Sequence, residues 1–308
     1  MGTLPDWICT SHLQLICGEA LVRALALILP LLIATPAGQT ADWSQAIAEW
    51  TVPHAPFRIA GNVFYVGTGG ISAYLITDPK GHILIDGGLP QSAEAIAANI
   101  RALGFEPRDV RYLLINHAHF DHSGGLAELK RLTGASLLAS ARDKPDLEAG
   151  ATAGRPDLLT FPPVKVGRVI ADGEHIRLGA IDLVTHLTPG HTRGCTSWSL
   201  KVREGGRSLD VLMVCSITVA GQNLTGGGGY PGAAADFRAT FARLRGLPAD
   251  IFLSFHPGVF DMDAKYARLR AGDANAFVDP GELTRRIDAA ERAFETELAR
   301  QRKARLPQ

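Results

Sequence analysis

A dense run of metal-binding side chains lies near the middle of the 308-residue chain. Within six residues it places four side chains that bind zinc well: His117, His119, Asp121 and His122. Side chains alternate with period two where a chain leaves a strand, so His117 and His119 can point the same way. Asp121 and His122 then turn away, which suits a second metal. This density of imidazole and carboxylate predicts a centre for zinc or a similar transition metal.

Two distant histidines stand in matching settings, each after an apolar strand. His191 follows a Pro-Gly pair and His256 precedes one. A lone histidine beside Gly or Pro is more often a turn residue, but together these two supply the distant ligands that the cluster needs. Asp86 ends another strand before two glycines, and it either orients the histidine loop or caps a turn.

The remaining histidines lack this combination of strand end and turn. We interpret His186 as a core histidine with a satisfied hydrogen bond, with support of the metal ligands as the alternative. The others after the first 40 residues are expected at the surface: His54, His82 and His175.

Short apolar runs bounded by Gly and Pro predict the strands that position these residues. The runs are 81–86, 110–116, 181–186, 211–215 and 251–256, and a hairpin joins 62–66 to 71–77. Helical periods lie between them, at 92–103 and 126–132 and around Phe237, Phe241 and Leu244. A last helix is predicted with Asp279 as its cap and Pro280 as its first residue. Interleaved strands and helices indicate an α/β or α+β class with two layers of sheet.

Composition excludes several functions. The 31 basic and 31 acidic side chains balance, whereas nucleic-acid and anionic-membrane binders need a surplus of Lys and Arg.

The run 226–229 is rich in glycine but lacks a phosphate-binding Lys and a preceding strand. It therefore predicts a flexible loop near the mouth of the site.

The N-terminal segment has the pattern of a secretory signal: Arg23, an uncharged apolar run over 24–34, and a small-residue exit. An anchoring N-terminal helix is the alternative. We predict a leader at 1–37, with translation starting near Val22, and one catalytic domain at 38–308. The mature domain is then exported to the periplasm or secreted, and is expected to be a monomer.

The motif His117-x-His119-x-Asp121-His122, followed by His191 and His256, resembles the metallo-β-lactamase superfamily over nearly the whole mature chain. The resemblance implies an αβ/βα four-layer sandwich of two mixed sheets. It also implies two Zn²⁺ ions per chain. The first would take His117, His119 and His191, and the second Asp121, His122 and His256.

The position after the strand 211–214 distinguishes branches of this superfamily. Many of its hydrolases carry there an Asp that bridges both metals, and other β-lactamase subclasses carry a metal-binding Cys. Here the register gives Ser216, followed by Thr218, which is similar to subclass B3 metallo-β-lactamases. A slip of one residue would instead make Cys215 a ligand.

Subclass B3 similarity implies hydrolysis of the β-lactam ring of penicillins, cephalosporins and carbapenems by a metal-bound hydroxide. Asp121 would orient that hydroxide, and Ser216 and Thr218 would hold the substrate carboxylate. Three alternatives remain. One is a lactonase or thioesterase, against which the missing bridging Asp argues. The others are a non-haem iron oxidoreductase of the persulfide dioxygenase kind and a secreted metal-binding protein without catalysis.

Two of the four cysteines, Cys195 and Cys215, lie in the mature domain. A hairpin turn at Glu204–Arg207 would place them roughly opposite each other. A disulfide is then compatible with an oxidising compartment. Cross-strand geometry is demanding, so two buried free thiols are the favoured interpretation.

Overall fold

A computed structural model describes residues 42–226 and 229–305. The predicted leader, the start near Val22, Cys9 and Cys17 lie outside these residues, as do two glycines of the run at 226–229. None of the described helices is long and apolar enough to cross a membrane.

The first sheet has seven strands in the order of the sequence. Its first four strands pair antiparallel and the later ones parallel. The strands are β1 (Phe57–Ala60), β2 (Val63–Tyr65), β3 (Tyr74–Ile76), β4 (His82–Ile85), β5 (Val110–Leu114), β6 (Ser136–Ser140) and β7 (Arg168–Ile170). The register Val63↔Ile76 confirms the predicted hairpin.

The second sheet has five strands in the order β12-β11-β10-β9-β8. All its pairs are antiparallel except β11 with β12. The strands are β8 (His175–Leu178), β9 (Ile181–Leu187), β10 (Thr196–Glu204), β11 (Arg207–Val214) and β12 (Ile251–Ser254). Glu204 pairs with Arg207, so the hairpin turn lies where the sequence predicts it.

Alternation along β4 shows why the strands are buried on both faces. Ile83 and Ile85 join the apolar cluster shared with the second sheet, whereas Leu84 joins a cluster with helices on the outer face. Both faces are therefore covered, as parallel sheets require. The outer helices on this side include α2 (Ala93–Ala102) and α4 (Leu126–Thr133).

The second sheet is covered by helices in the same way. Phe237, Phe241, Ile287 and Phe294 pack into the cluster that includes Trp198 of β10. These side chains come from α6 (Ala233–Arg245) and α8 (Glu282–Ala304). The remaining helices are α1 (Ser44–Trp50), α3 (Phe120–Ser123), α5 (Lys144–Ala149) and α7 (Met262–Arg270). The order of layers is helix, sheet, sheet, helix, which confirms the predicted αβ/βα sandwich of two mixed sheets.

Two local predictions are wrong. The last helix begins at Glu282, because Asp279 closes a turn before it: Asp279 Oδ1 accepts a hydrogen bond from Gly281 N at 3.1 Å. His82 is buried, because it belongs to β4 and packs edge-on against Phe105. Burial lowers the pKa of His82.

Of the other two histidines expected at the surface, one is exposed and one is half-buried. His175 is exposed and donates to Asp182. His54 is half-buried, because its ring packs against three aromatic side chains, Phe57, Tyr65 and Tyr266.

Parallel pairing brings the functional strand ends to one edge. Because β4 and β5 are parallel, Asp86 and the histidine loop leave the first sheet together. Because β11 and β12 are parallel, Ser216 and His256 leave the second sheet together. Two backbone hydrogen bonds join the sheets there, from Ser72 N to Phe255 O at 2.9 Å and from Thr196 N to Asn116 O at 2.8 Å.

Candidate metal centre

Three histidines form a first group of converging nitrogens. His119 Nδ1 lies 3.1 Å from His117 Nε2 and 3.2 Å from His191 Nε2. Tetrahedral zinc with Zn–N bonds of about 2.0–2.1 Å separates its nitrogen ligands by roughly 3.3 Å. The three residues predicted as the first ligand set therefore lie at the spacing of one metal ion, and all three are buried.

A second group lies beside it and contains the other three predicted ligands. His122 Nε2 is 3.2 Å from His256 Nε2 and 3.3 Å from Asp121 Oδ2. His256 Nε2 is 3.4 Å from the same carboxylate oxygen. These spacings again match the edges of a metal tetrahedron. The structure thus brings together all six residues that the sequence singles out as ligands.

The short helix α3 explains why four neighbours on the chain separate into two groups. His119 is extended and precedes the first helical residue, whereas Asp121 and His122 lie within the helix. The backbone turns at this point, so the first two histidines face His191 and the next two ligands face His256. The predicted change of direction after His119 is confirmed.

Asp86 is fully buried and contacts the loop that carries His117, His119 and His122. It accepts hydrogen bonds from His122 Nδ1 at 2.8 Å and from Asn116 N at 2.9 Å, and also from Asn116 Nδ2. Asn116 Oδ1 in turn accepts from His117 Nδ1. Each of the two histidines is therefore fixed with Nε2 toward the metal position. Asp86 orients the loop, which decides between the two interpretations that the sequence left open.

His191 is oriented from the opposite side. Its Nδ1 donates to the carbonyl of Thr218 at 2.7 Å. The hydroxyls of Ser216 and Thr218 lie 3.0 Å apart, and Thr218 is exposed while Ser216 is half-buried. The segment after β11 therefore supports the candidate ligand His191 through its backbone, and it carries two adjacent hydroxyls.

The electrostatics of the two groups differ. Burial lowers the pKa of His117 and His119 well below the usual range and that of His191 to about 4, so these imidazoles are neutral at pH 7. Burial alone would lower the pKa of His122 as well, but the carboxylates of Asp121 and Asp86 raise it to about 10. The neighbouring histidines keep the pKa of Asp121 well below its usual range despite burial.

The donor set fits zinc. Each group offers three protein ligands, the number that catalytic zinc sites use while leaving a position open for water or substrate. His119 turns Nδ1 toward the other two nitrogens of the first group, so three imidazole nitrogens converge on one point. In the described part of the chain, the candidate metal groups contain a single carboxylate, Asp121.

Cys195 and Cys215 form a disulfide with a Cα–Cα distance of 5.9 Å, so the favoured interpretation of two free thiols is wrong. The antiparallel register of β10 and β11 brings their flanking residues together, which makes the bridge feasible. Cys215 Sγ lies behind the metal position, 3.7 Å from His117 Nδ1. As half of a disulfide it cannot be the thiolate ligand that a register slip would have given.

Aromatic side chains border the second group. Trp43 and Trp50, beside and within α1, pack against Phe120 of α3 with ring centroids 5.1 and 6.2 Å away. The Trp50 ring lies 5.5 Å from that of His256. The other side of the centre opens into a cavity of about 410 Å³ that His119, His191, Arg193 and Tyr230 line.

Sequence reasoning missed two contributors to this site. Asn116 orients His117, and its only signal was a polar side chain at the end of a buried strand. Trp50 borders His256, and no local pattern marks it, because the contact joins residues about 200 positions apart. His186 lies outside the site. Its Nε2 forms a hydrogen bond with Ser199 Oγ at 2.7 Å, as predicted for a core histidine.

The model of the metallo-β-lactamase superfamily matches residues 66–256, which include every residue of both groups. The chain belongs to the metallo-β-lactamase superfamily. Among solved superfamily members, it is similar to BJP-1, a subclass B3 metallo-β-lactamase of Bradyrhizobium japonicum. The identity is 44%, the TM-score is 0.81, and the match covers 84% of this chain and 99% of that one.

The curated relatives are less similar in sequence. A hydroxyacylglutathione hydrolase of Anaeromyxobacter dehalogenans is 33% identical over 60% of this chain and 59% of its own length. An N-acyl homoserine lactonase of Azorhizobium caulinodans is 28% identical over 44% of this chain and 61% of its own length. The chain thus spans about three fifths of these relatives.

Proposed function

We propose that this protein hydrolyses the β-lactam ring of penicillins, cephalosporins and carbapenems, with two Zn²⁺ ions held by the six ligands. The observation that carries the proposal is the second residue after β11. It is Ser216, whose hydroxyl lies beside that of Thr218, and not a carboxylate between the two groups. Similarity to a subclass B3 enzyme over most of the chain supports the same function.

Bound zinc would supply a Lewis acid for the lactam carbonyl and lower the pKa of water to about 7. His117, His119 and His191 would hold one ion, and Asp121, His122 and His256 the other. The first three are neutral at pH 7 and need lose no proton, since burial lowers their pKa values.

Asp121 is the proposed catalytic residue besides its role as a ligand. Its carboxylate stays ionised because the neighbouring histidines hold its pKa well below the usual range. An ionised oxygen at the junction of the two groups can accept a hydrogen bond from the attacking water and so orient it.

Ser216 and Thr218 are the proposed contacts for the substrate carboxylate. Two hydroxyls 3.0 Å apart can both donate to one carboxylate. Because Thr218 O also orients His191, a substrate bound here would lie directly beside the first ligand group.

The leader at 1–37 and export of the domain at 38–308 to the periplasm, as a monomer, remain part of the proposal. The Cys195–Cys215 disulfide supports an oxidising compartment. N-terminal sequencing of the precursor and the mature chain tests it: a mature chain beginning near residue 38 is expected, and one retaining Arg23 would contradict it.

A comparison of three substrate classes separates the proposal from its rivals on the same fold. We expect the zinc-loaded enzyme to hydrolyse a cephalosporin with a kcat/KM far above those for an acyl homoserine lactone and a glutathione thioester. The reverse order would support a lactonase or thioesterase. One iron per chain in the purified protein would instead support the oxidoreductase.

A further inference from the structure

The disulfide lies directly behind the first ligand group. Both cysteines are fully buried, and Cys215 Sγ lies 3.3 Å from the carbonyl of Asn116 and 3.7 Å from His117 Nδ1. The facing atoms of Cys195, Cys215 and His117 all lie within 4.8 Å of one another. His117 therefore stands between two sets of metal-binding atoms, with Nε2 toward one and Nδ1 toward the other.

The spacing on the Nδ1 side suits a metal with thiolate ligands. Bond lengths of about 2.3 Å for Zn–S and about 2.0–2.1 Å for Zn–N place tetrahedral sulfur and nitrogen roughly 3.6 Å apart. The observed separation of Cys215 Sγ and His117 Nδ1 is 3.7 Å. While the sulfur–sulfur bond is intact, neither cysteine can act as a thiolate ligand.

We propose that Cys195, Cys215 and His117 Nδ1 form an alternative metal site when the disulfide is reduced, and that the disulfide reserves His117 for the hydrolytic centre. A neutral imidazole has one free lone pair, so His117 serves one metal at a time. Coordination through Nδ1 would move the ring proton from Nδ1, where it is now donated to Asn116 Oδ1, to Nε2.

A phosphine can reduce the Cys195–Cys215 disulfide in a balanced reaction. The sulfur–sulfur bond takes up two electrons and two protons to give two thiols, and the phosphine becomes a phosphine oxide with an oxygen from water. Metal binding then releases both thiol protons, because the thiolate is the ligand form. Two thiolates and an imidazole form a softer donor set than three imidazoles and favour zinc.

Cobalt(II) tests this site without any assay of activity, because thiolate ligands give an intense charge-transfer band in the near ultraviolet that imidazole and carboxylate ligands do not. The full chain is unfolded with a phosphine, refolded without oxygen, and titrated with cobalt after free thiols are counted. The matched control is Cys195→Ser with Cys215→Ser. It keeps Cys9 and Cys17, so any band from those two cysteines appears in both samples.

We expect the charge-transfer band in the reduced wild-type chain. The oxidised wild-type chain and the double variant should show no more absorbance than Cys9 and Cys17 contribute. A fully reduced, folded chain whose spectrum equals that of the double variant would overturn the proposal. If the reduced chain does not refold, Cys195→Ser alone decides. It keeps Cys215 as a thiol beside His117 without any reductant, and it must show a weaker band of the same kind. The spectrum is independent of β-lactam hydrolysis, so this site and the proposed function can fail separately.

Discussion

Asp86 Oδ2 accepts a hydrogen bond from His122 Nδ1 at 2.8 Å, and both side chains are buried. The contact fixes which nitrogen of His122 faces Asp121 and His256. Groups that orient a metal-binding histidine in this way contribute to metal affinity without touching the metal.

Replacing Asp86 by Asn should weaken zinc binding by His122 and its partners about 10–100-fold. An amide has one accepting oxygen, so it cannot accept from Asn116 N and from His122 Nδ1 as the two carboxylate oxygens do. Titration of zinc against a chromophoric chelator measures this. Asp182→Asn is the matched control, since it removes an exposed aspartate–histidine hydrogen bond remote from the site. Equal zinc affinities in the two variants would show that Asp86 does not orient His122.

The affinity of the second metal should rise with pH, whereas that of the first should not. In the metal-free protein the pKa of His122 is raised to about 10, so zinc must displace its proton. Below that pKa each pH unit should strengthen binding about tenfold, which amounts to ~100-fold between pH 6 and pH 8. His117, His119 and His191 are already neutral in this range. Zinc titrations at pH 6, 7 and 8 give both constants, and two parallel pH profiles would contradict the assignment.

Ser216→Ala and Thr218→Ala should each raise KM for a carboxylate-bearing cephalosporin about 10-fold and leave kcat nearly unchanged. A hydrogen bond to a charged group contributes about 1.5–3 kcal/mol, and uniform binding appears in KM. Ser208→Ala, on the exposed part of β11, is the control. An ester of the same substrate, which lacks the charge, should show much smaller effects, and equal effects on acid and ester would assign the hydroxyls another role.

Asp143 should make the metal-free protein less stable as pH rises. Burial raises the pKa of its carboxyl to about 7, whereas the unfolded chain ionises near pH 4. Between these values only the unfolded state loses the proton, so the free energy of unfolding falls from about pH 4 to about pH 7 and then levels off. Asp143→Asn should show a smaller decline, because burial raises the pKa of Asp86 and Asp146 as well. Urea unfolding at pH 5 and pH 7.5, with chelator in both, measures it, and identical pH dependences would refute the prediction.

Much of this site could be predicted from the sequence because its ligands follow strand ends. The six candidate ligands and the sheet edge that carries them follow from local patterns. Asp86 was singled out as well, but its sequence context left open whether it orients the loop or caps a turn. The burial of His82 could not be predicted in this way, because it depends on Phe105 packing over an otherwise regular strand. The contact of Trp50 with His256 depends on how distant segments meet, and no local pattern encodes that. The hairpin turn at Glu204–Arg207 predicts that Cys195 and Cys215 face each other, but whether they bond depends on cross-strand geometry that the sequence does not encode.

Hydrolysis of a carbapenem and a cephalosporin by the zinc-loaded protein is the most direct test of the central claim. We expect turnover of both, loss of turnover with a chelator, recovery on adding zinc, and a loss of more than about 100-fold in Asp121→Ala, which removes a ligand. A protein that holds two zinc ions per chain and hydrolyses neither substrate would contradict the account.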